Sequence, residues 1–135
     1  MTLKTHKDLI VWRKAVALAT RIYKLTGSFA SFDRQSLSHQ MCRCAVSVAS
    51  NIAEGAARGS RPEYIRFLDI ARGSLSELET QIYICTDLEL IRADTQIHED
   101  VAEVGRLLTA MIRRLREHRD KARGFQTPQR PLTSQ

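Results

Sequence analysis

The chain has 135 residues, 43% of them hydrophobic, which suits one domain with a single core and excludes general disorder. No apolar run of about 18 residues occurs, which excludes a helical membrane span, and the leading MTLKTHKDLIVW lacks the apolar core of a secretory signal, so a cytoplasmic location is expected. The net charge of +6 is unevenly spread: residues 1 to 26 are basic, 69 to 103 acidic and 106 to 130 basic again, a balance that favours polyanion or self-association partners.

Apart from Pro62 no proline precedes residue 128, so the chain is free to be mostly helix. Apolar residues recur at alternating spacings of three and four along four tracks. The first is Leu9, Trp12, Val16, Ala19, Tyr23. The second is Leu37, Met41, Cys44, Val48, with Asn51 in the same register. The third is Leu68, Ala71, Leu75, Leu78, Ile82, Cys85, and the fourth is Ile97, Val101, Val104, Leu108, Met111, Leu115. Such spacing puts each set on one helix face and suits packing at about 20°.

The joints are legible too. Gly27 to Asp33 separates the first two tracks. Gly55 and Gly59 are expected to end the second helix, because glycine suits a left-handed cap. Ser60-Arg61-Pro62-Glu63 reads as a capping box for the third, with Pro62 in the first turn where its missing donor costs little. Asp94 is placed to cap the fourth after a joint at 90 to 94. Short joints make antiparallel neighbours. The expected fold is all-α: an antiparallel up-down-up-down four-helix bundle over residues 1–122, with an irregular C-terminal tail over 123–135.

Polar residues interrupt the middle tracks. Asn51 and Glu54 fall on the second helix, and Arg72, Gly73 and Ser74 on the third. A buried polar group without a partner costs roughly 1–3 kcal/mol. A structural network of Asn51, Glu54, Arg72 and Ser74 is therefore expected to set the register of these two helices. Gly73, in a helix interior where glycine costs about 1 kcal/mol against alanine, is expected to let the third helix pack closely on the second.

Three segments of this region, SNIAEG at 50–55, EYIRFL at 63–68 and ARGSLSELE at 71–79, closely resemble the bacterial four-helix-bundle proteins called 23S rRNA intervening-sequence proteins. These are relatives of the accessory variability determinant of diversity-generating retroelements. The resemblance is strong in the middle third and continues weakly to about residue 120. It implies a homo-oligomeric ring, with five copies expected, and no known catalytic activity. The related retroelement protein is a basic oligomer that binds nucleic acid and a reverse transcriptase.

Metal chemistry has little support. No glutamate has a histidine three residues later, and Cys42, Cys44 and Cys85 lie within apolar tracks as expected free core thiols. No phosphate-loop glycine pattern occurs, and no cofactor or metal is expected. Arg34-x4-His39 and Arg113-x4-His118 match the Arg-His spacing of HEPN-like helical ribonucleases, a minor alternative, since 16 arginines produce such spacings readily by chance. The sharper signal is Arg113, Arg114, Arg116, Arg119, Lys121 and Arg123, six cations in one short helical segment. Arginine suits bidentate phosphate contacts. With Lys4, Lys7, Arg13 and Lys14 they are the expected nucleic-acid-binding residues, acting by charge on RNA or DNA. The expected function is a non-enzymatic homo-oligomeric scaffold. The alternative is a protein–protein adaptor that presents its helices to a partner enzyme without touching nucleic acid.

Overall fold

The computed structural model describes residues 5–29 and 32–124, with side chains at 8, 32–33 and 119–124 left aside. A single 3-10 turn at His6–Asp8 leads into four helices: α1 (Ile10–Thr26), α2 (Phe32–Ala57), α3 (Arg61–Asp87) and α4 (Thr95–Gly124). No strand occurs among the described residues. Packing runs in a cycle, α1 on α2, α2 on α3, α3 on α4 and α4 back on α1, as an antiparallel four-helix bundle. Helix α4 runs to Gly124, two residues past the expected end of the bundle, and residues 125–135 lie outside the described residues.

The core is built from one stripe per helix. The third track is buried throughout, from Leu68 to Cys85. In α4 the stripe passes through Ile97, Val101, Val104 and Leu108 and then to Ile112, leaving Met111 and Leu115 half-buried. In α2 it runs through Met41, Ala45, Val48 and Ile52, so Cys44 and Asn51 sit beside the core rather than in it. The first track is corrected. The buried face of α1 is Val11, Ala15, Leu18 and Ile22, whereas Val16 and Tyr23 are exposed. The two stripes on α1 are one residue out of phase, or about 100° around the helix. Periodicity cannot tell them apart, because both are apolar.

The joints are chemically specified. Ser60 Oγ accepts from the Glu63 backbone N–H at 3.3 Å, and Pro62 lies in the first turn of α3. The reciprocal half of the box is replaced: both Glu63 oxygens accept from Arg66, which holds the Glu63 carboxyl below its usual range. Asp94 Oδ1 accepts from the N–H groups of Gln96 and Ile97 at 2.9 and 3.2 Å and caps α4. Its Oδ2 and Asp100 take the Arg21 guanidinium at 3.3 and 2.8 Å, which ties α1 to α4.

The left-handed cap falls elsewhere than expected. No described glycine has positive φ, so Gly55 and Gly59 do not serve that role. Glu89, at φ 59°, closes α3 instead. Its N–H donates to Thr86 O at 3.0 Å, and that of Leu90 to Cys85 O at 2.9 Å, the two bonds of a Schellman motif. Gly55 has a different use. It is buried within α2, and a Cβ there would stand 2.9 Å from the Phe67 Cβ. The close approach of α2 and α3 is thus made at Gly55. Gly73, expected to provide it, is exposed with nothing within 4 Å of a built Cβ.

Candidate nucleic-acid interface

Up-down-up-down topology dictates which sequence segments share an end of the bundle. The start of α1, the α2–α3 joint and the end of α4 stand at one pole, and the α1–α2 and α3–α4 joints at the other. Cross-helix contacts follow this order, with Lys14 against Glu103 at 3.4 Å and Arg116 against Asp69 at 3.3 Å. The two basic ends of the sequence are thereby brought together, and the acids from Glu77 to Glu103 gather toward the opposite pole.

The expected basic residues divide by what they touch. Lys14 is paired with Glu103 and Arg116 with Asp69. The Arg13 Nε–H donates to the Lys7 carbonyl at 2.9 Å, a bond that spends part of its donor set on holding the 3-10 turn. Among the described residues Arg113 and Arg114 have no ion-pair partner and are exposed, and the Lys7 side chain is likewise exposed and unpaired. Arg119, Lys121 and Arg123 lie on the last turns of α4, but their side chains are outside the described residues, as is Lys4 altogether.

One further group joins this pole and a second lies along the bundle between it and the opposite end. Arg58, Arg61 and Arg66 surround the α2–α3 joint, with the guanidinium carbons of Arg58 and Arg66 5.0 and 4.5 Å from the Phe67 ring centre. Arg58 also pairs with Glu54 at 2.7 Å and Arg66 with Glu63 at 3.0 Å, while Arg61 is exposed without an ion pair among the described residues. The second group lines a groove of ≈ 500 Å³ midway along α3 and α4, where Arg72, Arg106 and Arg113, with Glu79 among them, stand around the buried Leu75 and Val101. Asp69 holds Arg72 at 2.9 Å and Arg116 at 3.3 Å, so one carboxylate anchors two guanidinium groups without neutralising the pair. Arg106 opens the basic stretch 106–130 without being singled out, and the joint arginines escaped sequence reasoning because their local charge balance is unremarkable. The signal lies in topology, which sets three separate segments side by side.

The expected register network is brought together in part. Asn51 Nδ2 donates to Ser47 O at 2.8 Å and to Ser47 Oγ at 3.0 Å, and Ser47 and Ser74 hydroxyls meet at 2.9 Å across the α2–α3 seam. Ser47 is the link that periodicity does not reveal. Glu54 and Arg72 are not part of the network: Glu54 turns outward to Arg58, and Arg72 faces α4 beside Asp69. Among the described residues no group of three His, Cys, Asp or Glu side chains is placed to hold a metal. The Cys44 thiol donates to Glu77 at 3.3 Å, and Cys42 and Cys85 are buried free thiols. In both Arg-x4-His matches the two residues are five apart on one helix, hence turned by about 140°, and neither pair converges on a face.

No helix among the described residues is long and apolar enough to cross a membrane. None of the curated proteins compared matches the chain. Among solved structures, one from Bacteroides thetaiotaomicron VPI-5482, described as a protein of unknown function from the S23 ribosomal protein family, is 28% identical with a TM-score of 0.70. The likeness covers 77% of this chain and 96% of that one. The family model described as 23S rRNA-intervening sequence protein matches residues 7–110. With the bundle, its capped joints and this match over most of its length, the chain belongs to the 23S rRNA-intervening sequence protein family.

Proposed function

We propose that this protein is a non-enzymatic, homo-oligomeric scaffold that binds RNA or DNA by charge. The observation that carries this reading is the basic pole. The start of α1, the α2–α3 joint and the end of α4 each deliver arginine or lysine to one end of the bundle, and Arg61, Arg113 and Arg114 there have no ion pair among the described residues. Cations without internal partners are available to displace counterions from a phosphate backbone. Described aromatic rings at this pole are few and Phe67 is buried, so recognition is electrostatic rather than by base stacking. A ring of copies, the state the family resemblance implied, sums weak contacts by avidity.

The test is binding of single-stranded RNA and duplex DNA to the full chain across a salt series. Charge-driven binding weakens steeply between about 50 and 200 mM salt. Absence of binding at the lowest salt overturns the proposal and leaves the protein–protein adaptor as the working reading.

A further inference from the structure

Toward the basic pole, α4 and α3 are joined where Arg116 meets Asp69 at 3.3 Å. The helices are antiparallel, so each step back along α4 is matched by a step forward along α3. Arg113 thus stands level with Arg72, Thr109 with Ser76 and Arg106 with Glu79, and all six line the ≈ 500 Å³ groove between the helices. Spacings of three and four keep each set on one helix face. Guanidinium groups therefore follow the groove from mid-bundle to the pole, over about 15 Å from Arg106 to Arg116 at 1.5 Å per residue.

The groove is furnished for an anion. Arg106 and Arg113 are exposed and have no ion pair among the described residues, and the one acid in the groove, Glu79, takes neither of them. Arg72 is half-buried and held by Asp69 at 2.9 Å, which fixes its fork of donors beside the opening. The Ser76 and Thr109 hydroxyls between the arginines make no hydrogen bond to another described residue. Gly105 lies in the interior of α4, where glycine weakens a helix. A Cβ there would meet Leu75 at an ordinary 3.5 Å, so packing does not demand glycine. Its effect is to keep the groove open between the arginines.

We infer that this groove is the track of a single unpaired nucleic-acid strand, whose phosphodiester backbone passes from the basic pole along Arg113 and Arg72 to Arg106. The inference rests on the nucleic-acid part of the proposed function and adds which form of nucleic acid is held and where. A valley between helices whose axes lie about 8–10 Å apart admits one backbone but not two paired strands. The cations are strung along it, about 10 Å from Arg106 to Arg113, instead of converging on one point, which suits successive phosphates rather than a lone anion. Guanidinium forks grip the phosphate oxygens, and the two hydroxyls donate between them. No aromatic side chain lines the groove, so the strand is held without stacking and without regard to sequence.

The experiment is fluorescence anisotropy of the full chain with a short single-stranded RNA, a duplex of the same sequence and a mononucleotide, each across a salt series. Two variants are compared with the wild type, Arg106→Gln and Gly105→Leu, with circular dichroism as the fold check. Arg106 is exposed, and leucine at 105 fills the groove without changing charge. Arg106→Gln is expected to lower single-strand affinity about fivefold at about 0.1 M salt and to make the log–log salt slope shallower by about 0.7, the contribution of one phosphate. Gly105→Leu is expected to lower single-strand affinity by obstruction, and duplex affinity is expected to stay level in both. Should Gly105→Leu not fold, Arg106→Gln decides alone. No binding of any nucleic acid at the lowest salt overturns the proposed function and this inference together. Wild-type affinity and slope in Arg106→Gln, a duplex that weakens in step with the single strand, or a mononucleotide that binds as tightly as the strand overturns only this inference.

Discussion

Gly55 of α2 faces Phe67 of α3 so closely that a methyl group on Gly55 would stand 2.9 Å from the Phe67 Cβ and 3.2 Å from the Tyr64 carbonyl oxygen. The obstructing atoms are a Cβ and backbone, neither of which swings aside. Gly55→Ala is therefore expected to destabilise the bundle by about 1–3 kcal/mol through overpacking, even though alanine is intrinsically the better helix former by about 1 kcal/mol. Urea denaturation decides the sign, and a stabilised variant would show that α2 and α3 separate cheaply.

The seam beside it is held by hydroxyls. Ser74→Ala removes the partner of Ser47 Oγ across the seam and is expected to cost about 1 kcal/mol. Glu54→Ala breaks only an exposed pair with Arg58, in the joint just past the end of its own helix, and is expected to cost at most about 0.5 kcal/mol. A double-mutant cycle on Ser47 and Ser74 measures the coupling directly, and equal losses for Ser74→Ala and Glu54→Ala would contradict this assignment.

Glu89 holds a left-handed conformation at the end of α3. A side chain there costs roughly 1–2 kcal/mol that glycine avoids, partly offset by glycine's greater freedom in the unfolded chain. Glu89→Gly is expected to raise stability by about 0.5–1 kcal/mol, visible as a higher Tm in calorimetry. A lower Tm would mean that the Glu89 side chain makes a compensating contact.

Arg113→Glu combined with Arg114→Glu places two acids on the exposed end of α4. If these residues meet phosphates, affinity for RNA falls and the log–log salt slope becomes shallower by about 0.7 to 0.9 for each phosphate no longer neutralised. The same reversal at Lys24, near the opposite pole, serves as the control. Unequal roles appear as unequal slopes, and an unchanged slope for the Arg113/Arg114 pair would remove α4 from the interface.

Burial pushes the Cys85 thiol and the Tyr64 phenol above their ordinary values, and burial followed by the Glu77 carboxylate does the same for Cys44. In each case the folded state holds the proton more tightly than the unfolded state. Their contribution is complete below the unfolded values of 9.0 for cysteine and 10.0 for tyrosine and is lost as pH rises through the folded ones. Stability is expected to be level near pH 8 and to decline above about pH 9, with a flatter profile for Tyr64→Phe with Cys85→Ala. Melting curves across that range check it.

Much of this architecture is legible in the order of residues. The third track, Leu68 to Cys85, is the buried face of α3 without correction, because a wide apolar stripe flanked by polar residues has only one face to bury. Ser60 and Asp94 begin helices where cap chemistry places them, since capping is settled within four residues. Helix α1 reads ambiguously because Val11, Ala15, Leu18 and Ile22 and the neighbouring Trp12, Val16 and Ala19 line are both apolar, and only contact with the other helices chooses between them. Arg72 falls outside the expected network for a related reason: two residues from Ser74, it points about 160° away around α3. Glu54 lies roughly on the side of Asn51, but its carboxylate is taken by Arg58 at the end of the helix.

By itself, then, the sequence determined the helical content, the four elements, the N-terminal caps of α3 and α4 and the family, all of which depend on spacing and chemistry within a few residues. Tertiary structure alone decided which stripe of α1 is core, that Gly55 rather than Gly73 carries the close approach, and that Ser47 joins Asn51 to Ser74. It also gathered cations from three distant segments at one pole. Those outcomes depend on which side of each helix meets its neighbour, a quantity set by the packing of all four at once.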